Sequence, residues 1–168
     1  MKQKLLVIAI AIAAVCGLCS TDASAQNANR NGWIIELQGG KVVNHEGGFL
    51  FDFDFGYRWA TSLHWAVEAK VGVGSYYPDK YAWSIMPGVR YTSKELFSNC
   101  SLFTSFNAGL STKLFYEDVI MPLNLCVGLN IGNRFNIGAS FGVNCLLGYY
   151  CGGDTTPCGI GLRVGVRI

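Results

Sequence analysis

Charged side chains are scarce in this sequence of 168 residues: Asp, Glu, Lys and Arg make up 14%, against about 25% in a typical soluble domain. Neither sign dominates, with 13 basic and 11 acidic residues, which argues against a nucleic-acid-binding surface. No Pro/Ser-rich linker or charge block marks a domain boundary. A phosphate-binding glycine loop and metal-ligand spacing are also missing from the sequence, so we expect neither a cofactor nor a metal.

The N-terminal residues have the three parts of a secretory signal peptide. Two lysines precede an apolar stretch at 5–18, and Ala-Ser-Ala at 23–25 forms a small-x-small cleavage site. The apolar stretch is shorter than the about 20 residues that a membrane-spanning helix needs. We therefore expect residues 1–25 to be removed as a signal peptide and residues 26–168 to form one domain.

The rest of the chain alternates between bulky apolar residues and small or polar ones, which is the period of a β-strand. From 49 to 59, for example, every odd position is Phe, Tyr or Trp, and the even positions are Leu, Asp, Gly and Arg. Turn residues separate eight such segments: 33–40, 49–59, 62–74, 81–91, 101–111, 121–131, 135–147 and 160–168. The last segment alternates without interruption and ends on the apolar residue Ile168, as expected for a strand that closes a barrel against the first strand and leaves no edge.

An all-β, antiparallel transmembrane barrel of eight strands accommodates this apolar content, because only every second residue faces lipid. The alternative is a soluble, lipocalin-like barrel whose apolar face points inward. The outer face of such a barrel would carry many Lys and Glu residues. The polar face here is mainly Gly, Ser and Asn, which suits the crowded interior of a narrow barrel. The sequence therefore favours the membrane barrel.

Aromatic residues gather near the strand ends, as in a barrel that crosses two lipid–water interfaces. The predicted girdles comprise Trp33, Tyr57, Trp59, Trp65, Tyr91 and Phe135 at one end, and Tyr81, Trp83 and Phe49 at the other. Tight connections at 60–61 and 132–134 and a longer polar loop at 92–99 would lie on the periplasmic side. The connections predicted to face outward are 41–48, 75–80, 112–119 and 148–157.

A signal peptide, eight alternating strands and an apolar closing strand together resemble the small outer-membrane β-barrel proteins of Gram-negative bacteria, the OmpA/OmpX-like group with porin-like barrels. The resemblance covers nearly all of residues 26–168, although the last residue is Ile168 where Phe is common. It implies a monomer at the cell surface, in the bacterial outer membrane. Its partners would be outer-membrane lipid, lipopolysaccharide and the barrel assembly machinery.

Charged residues on the polar face would point into the lumen. They are Glu36, Asp52, Asp54, Arg58, His64, Glu68, Lys70, Arg90, Arg163 and Arg167. Closure sets the first strand beside the last, so Glu36 can approach Arg163. Since buried charges must pair and eight strands leave room only for side chains, we predict a network that fills the lumen and blocks conduction. The alternative is a small, ion-selective diffusion channel.

A third interpretation is a lipid A-modifying enzyme, because some small outer-membrane barrels use a His, a Ser and an acid near the outer rim for that chemistry. His64 shares a face with Glu68, but it lies near the predicted periplasmic end. His45 is in an outer loop beside Glu46. We therefore predict no catalytic residue and a structural or surface-interaction role.

The predicted outer loops are rich in aromatic residues, namely Tyr76, Tyr77, Phe115, Tyr116, Tyr149 and Tyr150. They could contact a host, a phage or a neighbouring barrel. Alternatively, they extend the outer girdle into the lipid headgroups.

The cysteines after the predicted cleavage site are Cys100, Cys126, Cys145, Cys151 and Cys158. Cys151 and Cys158 flank the last outer loop and could form a disulfide, which the periplasm and the cell surface permit. Cys126 and Cys145 should not pair, because their parity directs them to opposite faces of the sheet. All five could equally be small apolar residues that fill space.

Overall fold

The structure is a computed structural model that describes residues 30–43, 48–77, 80–97, 99–113, 119–146 and 158–168. Its strands are β1 (Gly32–Val42), β2 (Phe49–Ala60), β3 (Trp65–Tyr77), β4 (Lys80–Phe97), β5 (Cys100–Ala108), β6 (Leu110–Lys113), β7 (Val119–Ile131), β8 (Phe135–Leu146) and β9 (Cys158–Arg167). Both β5 and β6 pair with β4 on one side and β7 on the other, so they are two parts of one barrel strand. Within these ranges, no helix has the length and apolar character needed to span a membrane.

The barrel closes between the first and last strands. β1 pairs with β9 from Ile34 opposite Arg167 to Val42 opposite Gly159. β9 also pairs with β8, and β3 pairs with β4, so each of these strands has a partner on both sides and the sheet has no free edge. Every pairing is antiparallel. This architecture confirms the predicted antiparallel barrel of eight strands.

Alternate residues of each strand face opposite sides of the barrel wall. In β2, Asp52, Asp54 and Arg58 are buried in the lumen, whereas Phe51 and Phe53 on the outer face are exposed. The same alternation holds along β1, β5 and β9. The outer face is therefore apolar and the lumen polar. A soluble barrel has the reverse arrangement, and this one suits a surrounding of lipid.

Aromatic side chains lie at both ends of the outer face. We call the end that carries residues 30 and 168 the turn end, and the opposite end, where β1 ends and β2 begins, the loop end. At the turn end, the ring centroid of Tyr57 lies 5.1 Å from that of Trp33 and 4.9 Å from that of Trp59. Trp65 and Tyr91 are 5.1 Å apart. The remaining predicted girdle residues are Phe135 at the turn end and Tyr81, Trp83 and Phe49 toward the loop end.

The prediction of a long polar loop at 92–99 is wrong, because most of these residues belong to a strand. Strand β4 continues to Phe97, and β5 begins at Cys100. The turn is tight because Asn99 adopts a positive φ of 60°, which asparagine tolerates, and donates its backbone N–H to Glu95 Oε1 at 2.6 Å. The ladder between β4 and β5 shifts register twice beyond Thr92. Such bulges remove the strict alternation by which the sequence reveals a strand.

The fifth predicted strand, 101–111, is interrupted at Gly109. Pro122 on the neighbouring β7 has no N–H to donate to the ladder. Gly109 donates its own N–H to Pro122 O at 3.1 Å, outside the regular pairing. The break therefore comes from the partner strand, and the alternation within 101–111 itself does not show it.

Substituting an arginine on the outer face tests whether that face contacts lipid. Val71 lies in the middle of β3, opposite Phe55 and Ile85, with half of its surface exposed. We expect Val71→Arg to cost about 2–4 kcal/mol of folding free energy in lipid vesicles, since the charge would enter the bilayer midplane. The measurement is urea unfolding followed by tryptophan fluorescence. Leu63→Arg, in the turn before β3, is the control, and equal stability of the two variants would contradict a lipid-facing Val71.

Candidate functional site: the barrel lumen

Two buried carboxylates, Glu36 on β1 and Glu68 on β3, lie within the lumen and share one lysine. Lys70 Nζ is 2.7 Å from Glu36 Oε2 and 3.0 Å from Glu68 Oε2. On the other side of Glu68, Arg58 Nε donates a hydrogen bond to Oε1 at 2.7 Å. These four side chains connect three adjacent strands across the lumen.

Two further arginines extend this cluster. Arg163 NH1 on β9 lies 3.5 Å from Glu36 Oε2. Arg90 NH1 on β4 lies 4.0 Å from Glu36 Oε1 and 3.9 Å from Glu68 Oε1. We call the six residues together the lumen network: Glu36, Arg58, Glu68, Lys70, Arg90 and Arg163. All are at most 2% exposed, so the network fills this part of the lumen from five strands.

Glycines on neighbouring strands make room for these long side chains. Gly165 lies opposite Glu36 in the closing ladder, Gly56 lies opposite Lys70, and Gly88 lies opposite Glu68. None of the three carries a side chain that would compete for the same space. The small residues on the polar face thus let charged side chains from different strands meet.

Arg90 has two further contacts that the sequence analysis did not identify. Its Cζ lies 3.6 Å from the ring centroid of Phe103, a distance at which a guanidinium and an aromatic ring attract each other. Its NH2 donates a hydrogen bond to Asn130 Oδ1. Phe103 is buried and faces inward. The parity of 101–111 places Phe103 on the polar face, but an apolar ring there gives no sign of a charged partner.

On the side of Arg163, amide groups continue the polar contacts across the lumen. Arg163 NH2 and Asn124 Nδ2 both donate to Gln38 Oε1, at 2.9 and 3.0 Å. At the turn end, Arg167 NH1 donates to the backbone oxygen of Arg30 at 3.1 Å, and NH2 donates to that of Asn133. Arg167 therefore ties the last strand to two backbone segments at the turn end.

The other predicted lumen residues also lie outside the network. Asp52 and Asp54 are buried on β2, where Asp54 is opposite Glu36 and Asp52 is opposite Gln38 in the ladder with β1. His64 is half-buried in the turn before β3, and its Nδ1 is 2.8 Å from the backbone oxygen of Thr92. Its placement with the lumen charges is thus corrected: β3 begins only at Trp65, so His64 belongs to the turn.

The charge of the lumen is unevenly distributed. The network combines four cations with two carboxylates, whereas the two buried carboxylates of β2, Asp52 and Asp54, lie outside it. A permeating cation would meet four fixed positive charges, and an anion would have to displace carboxylates from their partners. The arrangement can therefore act as a barrier to ions of both signs.

The histidine chemistry considered for an enzyme is not assembled around His64. Its ring contacts a backbone oxygen and the ring of Tyr91, 5.8 Å away between centroids, and Ser62 Oγ accepts from its backbone N–H. His45 lies outside the described residues. No group of three or more metal-binding side chains occurs in the part of the chain that the structure describes.

The structure describes only some of the cysteines for which predictions were made. Cys126 is fully buried in the lumen on β7, and Cys100 and Cys158 are half-buried. Cys151 lies outside the described residues, so the disulfide between Cys151 and Cys158 stays a prediction. The same holds for the signal peptide at 1–25.

The fold has counterparts among solved structures. The outer membrane enzyme PagL matches with a TM-score of 0.60 and 14% identity, over 80% of this chain and 99% of that one. Neisserial surface protein A (NspA) matches at 0.52 and 16%, over 88% and 99%. The N-terminal β-barrel domain of Pseudomonas aeruginosa OprF matches at 0.52 and 15%, over 83% and 98%.

No protein-family model and no curated protein matches the sequence. At identities of 14–16%, the structural likeness establishes the fold alone. That fold is the small outer-membrane β-barrel, as the sequence predicted.

Proposed function

We propose that this chain is a monomeric barrel of the bacterial outer membrane, that its lumen is closed to ions, and that its role is structural or surface-interacting. The apolar outer face and the two aromatic girdles support a membrane location. The likeness to three outer-membrane barrels supports this membrane in particular. Residues 1–25 would direct the chain to the periplasm, and the barrel assembly machinery would insert it.

The lumen network is the observation that supports a closed lumen. Its charged groups come from five neighbouring strands and hold one another in place, with Glu36 and Lys70 in direct contact. Moving one of them aside would break ion pairs that are out of reach of bulk water. Leaving a buried charge without its partner costs several kcal/mol, so thermal motion rarely opens a path. Contacts with lipopolysaccharide or another surface partner would then be made at the loop end.

Single-channel recording tests the closed lumen. We expect the refolded wild-type protein to give no steady conductance in a planar bilayer, because the network occupies the lumen. Heat-modifiable gel migration, in which a folded barrel and its boiled form run differently, shows that the silent sample is folded.

The charge variants decide the contrary case. Steady wild-type conductance, with an ion selectivity that changes in Arg90→Ala or Arg163→Ala, would establish a narrow channel and overturn the proposal. Lys94→Ala is the matched control, since Lys94 is exposed at the turn end and outside the lumen.

Catalysis is a second candidate because one of the structural counterparts is an outer membrane enzyme. His45 is the histidine whose predicted position, in an outer loop, would suit chemistry at the outer rim. Mass spectrometry of lipid A from cells with and without this protein tests it. We expect identical lipid A. A mass change that His45→Ala abolishes and His64→Ala leaves intact would instead establish an enzyme.

A further inference from the structure

Asp54 is a buried acid that the lumen network does not neutralise directly. It is 2% exposed, and its Oδ1 accepts no hydrogen bond. Glu36 lies directly opposite it in the ladder between β1 and β2, and like charges in that position repel. Lys70, the lysine of the network, already contacts Glu36 and Glu68. A buried carboxylate in these surroundings calls for a positive partner.

A buried hydroxyl converges on the same place. Asp54, Gly72 and Ser84 lie side by side on β2, β3 and β4. Ser84 is 1% exposed, and its Oγ makes no hydrogen bond. A Cβ added at Gly72 would collide with Asp54 Oδ1 and would lie 3.1 Å from Ser84 Oγ. Both oxygen atoms therefore border the space above Gly72 without bonding to each other.

Further oxygen atoms, from Asp52 and Asn124, lie between Gly72 and the loop end. Asp52 is one step further along β2, and a Cβ added at Gly74 would lie 2.7 Å from its Oδ1. Asp52 also lines a cavity of about 20 Å³, together with Gln38 and Asn124, and Asn124 Oδ1 accepts no hydrogen bond. Such a volume holds about one water molecule. An ion arriving from the loop end would thus meet carboxylate, amide and water oxygens.

We propose that Asp54, Ser84 and Asp52 form a binding site for one hard divalent cation, of the Mg²⁺ or Ca²⁺ class, that enters from the loop end. Oxygen ligands suit these ions, and Mg²⁺ is commonly held by one or two carboxylates while it keeps several waters. On β3, Lys70 lies two residues from Gly72 toward the turn end, so its charge opposes movement of the ion beyond the site. This site is additional to the proposed structural role and does not depend on it.

Calorimetric titration of the refolded protein with MgCl₂, and separately with CaCl₂, tests the site. The sample is in a non-ionic detergent without lipopolysaccharide, which would itself bind these ions. We expect saturable binding of one ion to the wild type and at least tenfold weaker binding to Asp54→Asn. Glu95→Gln, which alters an exposed carboxylate at the turn end, is expected to bind like the wild type.

The variant Gly72→Ala distinguishes the effect of the space for the ion from the effect of the carboxylate charge. It keeps both carboxylates but places a methyl group between Asp54 and Ser84, so we expect it to weaken binding as strongly as Asp54→Asn. Asp54→Asn is expected to fold at least as well as the wild type in heat-modifiable gels. The reason is that it removes a buried negative charge that, before an ion binds, has no direct positive partner. Absence of saturable binding to folded wild type at millimolar ion, or wild-type affinity in folded Asp54→Asn, would overturn the proposal.

Discussion

Replacing Glu68 with glutamine is expected to destabilise the barrel by about 3–5 kcal/mol, the usual cost of removing one partner from a buried ion pair. The substitution keeps the shape of the side chain and removes one of the two carboxylates of the lumen network. Arg58 would lose the carboxylate that its Nε contacts, and Lys70 and Arg90 would be left with Glu36, which also serves Arg163. Since these cations are at most 2% exposed, water cannot replace the lost charge without opening the wall.

The measurement is the free energy of unfolding of the refolded protein in lipid vesicles, from urea titration followed by tryptophan fluorescence. Glu95→Gln removes the same charge from an exposed side chain and is the matched control, with a small expected effect. In the double variant Glu68→Gln/Arg58→Gln, the loss should be smaller than the two single losses together, because a cation and its partner disappear at once. A Glu68→Gln variant as stable as Glu95→Gln would mean that the network is fully hydrated and does not hold the lumen.

Much of this fold could be predicted because a strand has only two faces. Once the segments are recognised, parity alone assigns Glu36 and Arg163 to the lumen, and closure sets their strands side by side. The distance of 3.5 Å between them needs little beyond that geometry. The alternation in 49–59 carries the same information, since Phe at every second position cannot face a narrow polar interior.

Other features depend on which residues meet across strands, and one segment cannot reveal that. The break at Gly109 originates in Pro122 on the next strand. The bulges beyond Thr92 disguise a strand as a polar loop. Within the site, Lys70 lies between two glutamates because Gly56 and Gly88 leave room beside it and beside Glu68. Parity gives the face of each residue but neither its height in the barrel nor its partner.

The second large effect is expected where the first and last strands come closest. Gly40 on β1 and Gly161 on β9 are opposite each other in the closing ladder. A Cβ added at Gly40 would collide with the backbone oxygen of Ile160 and would lie 2.6 Å from Gly161 Cα. Backbone atoms cannot rotate away as a side chain does, so Gly40→Ala must push the two strands apart. We expect a loss of about 3 kcal/mol, at the upper end of what an added methyl group costs in a packed interior.

The neighbouring Gly39 is the matched control, because it belongs to the same strand but faces outward. A Cβ there would lie 3.8 Å from Phe49 Cζ, an ordinary packing distance, and alanine restricts the unfolded chain more than glycine does. Gly39→Ala should therefore be neutral or slightly stabilising, while Gly40→Ala lowers both the folded fraction in heat-modifiable gels and the unfolding free energy. If the two variants were equally stable, the close approach of β1 and β9 at Gly40 would be disproved, and the closing ladder would have to run in another register.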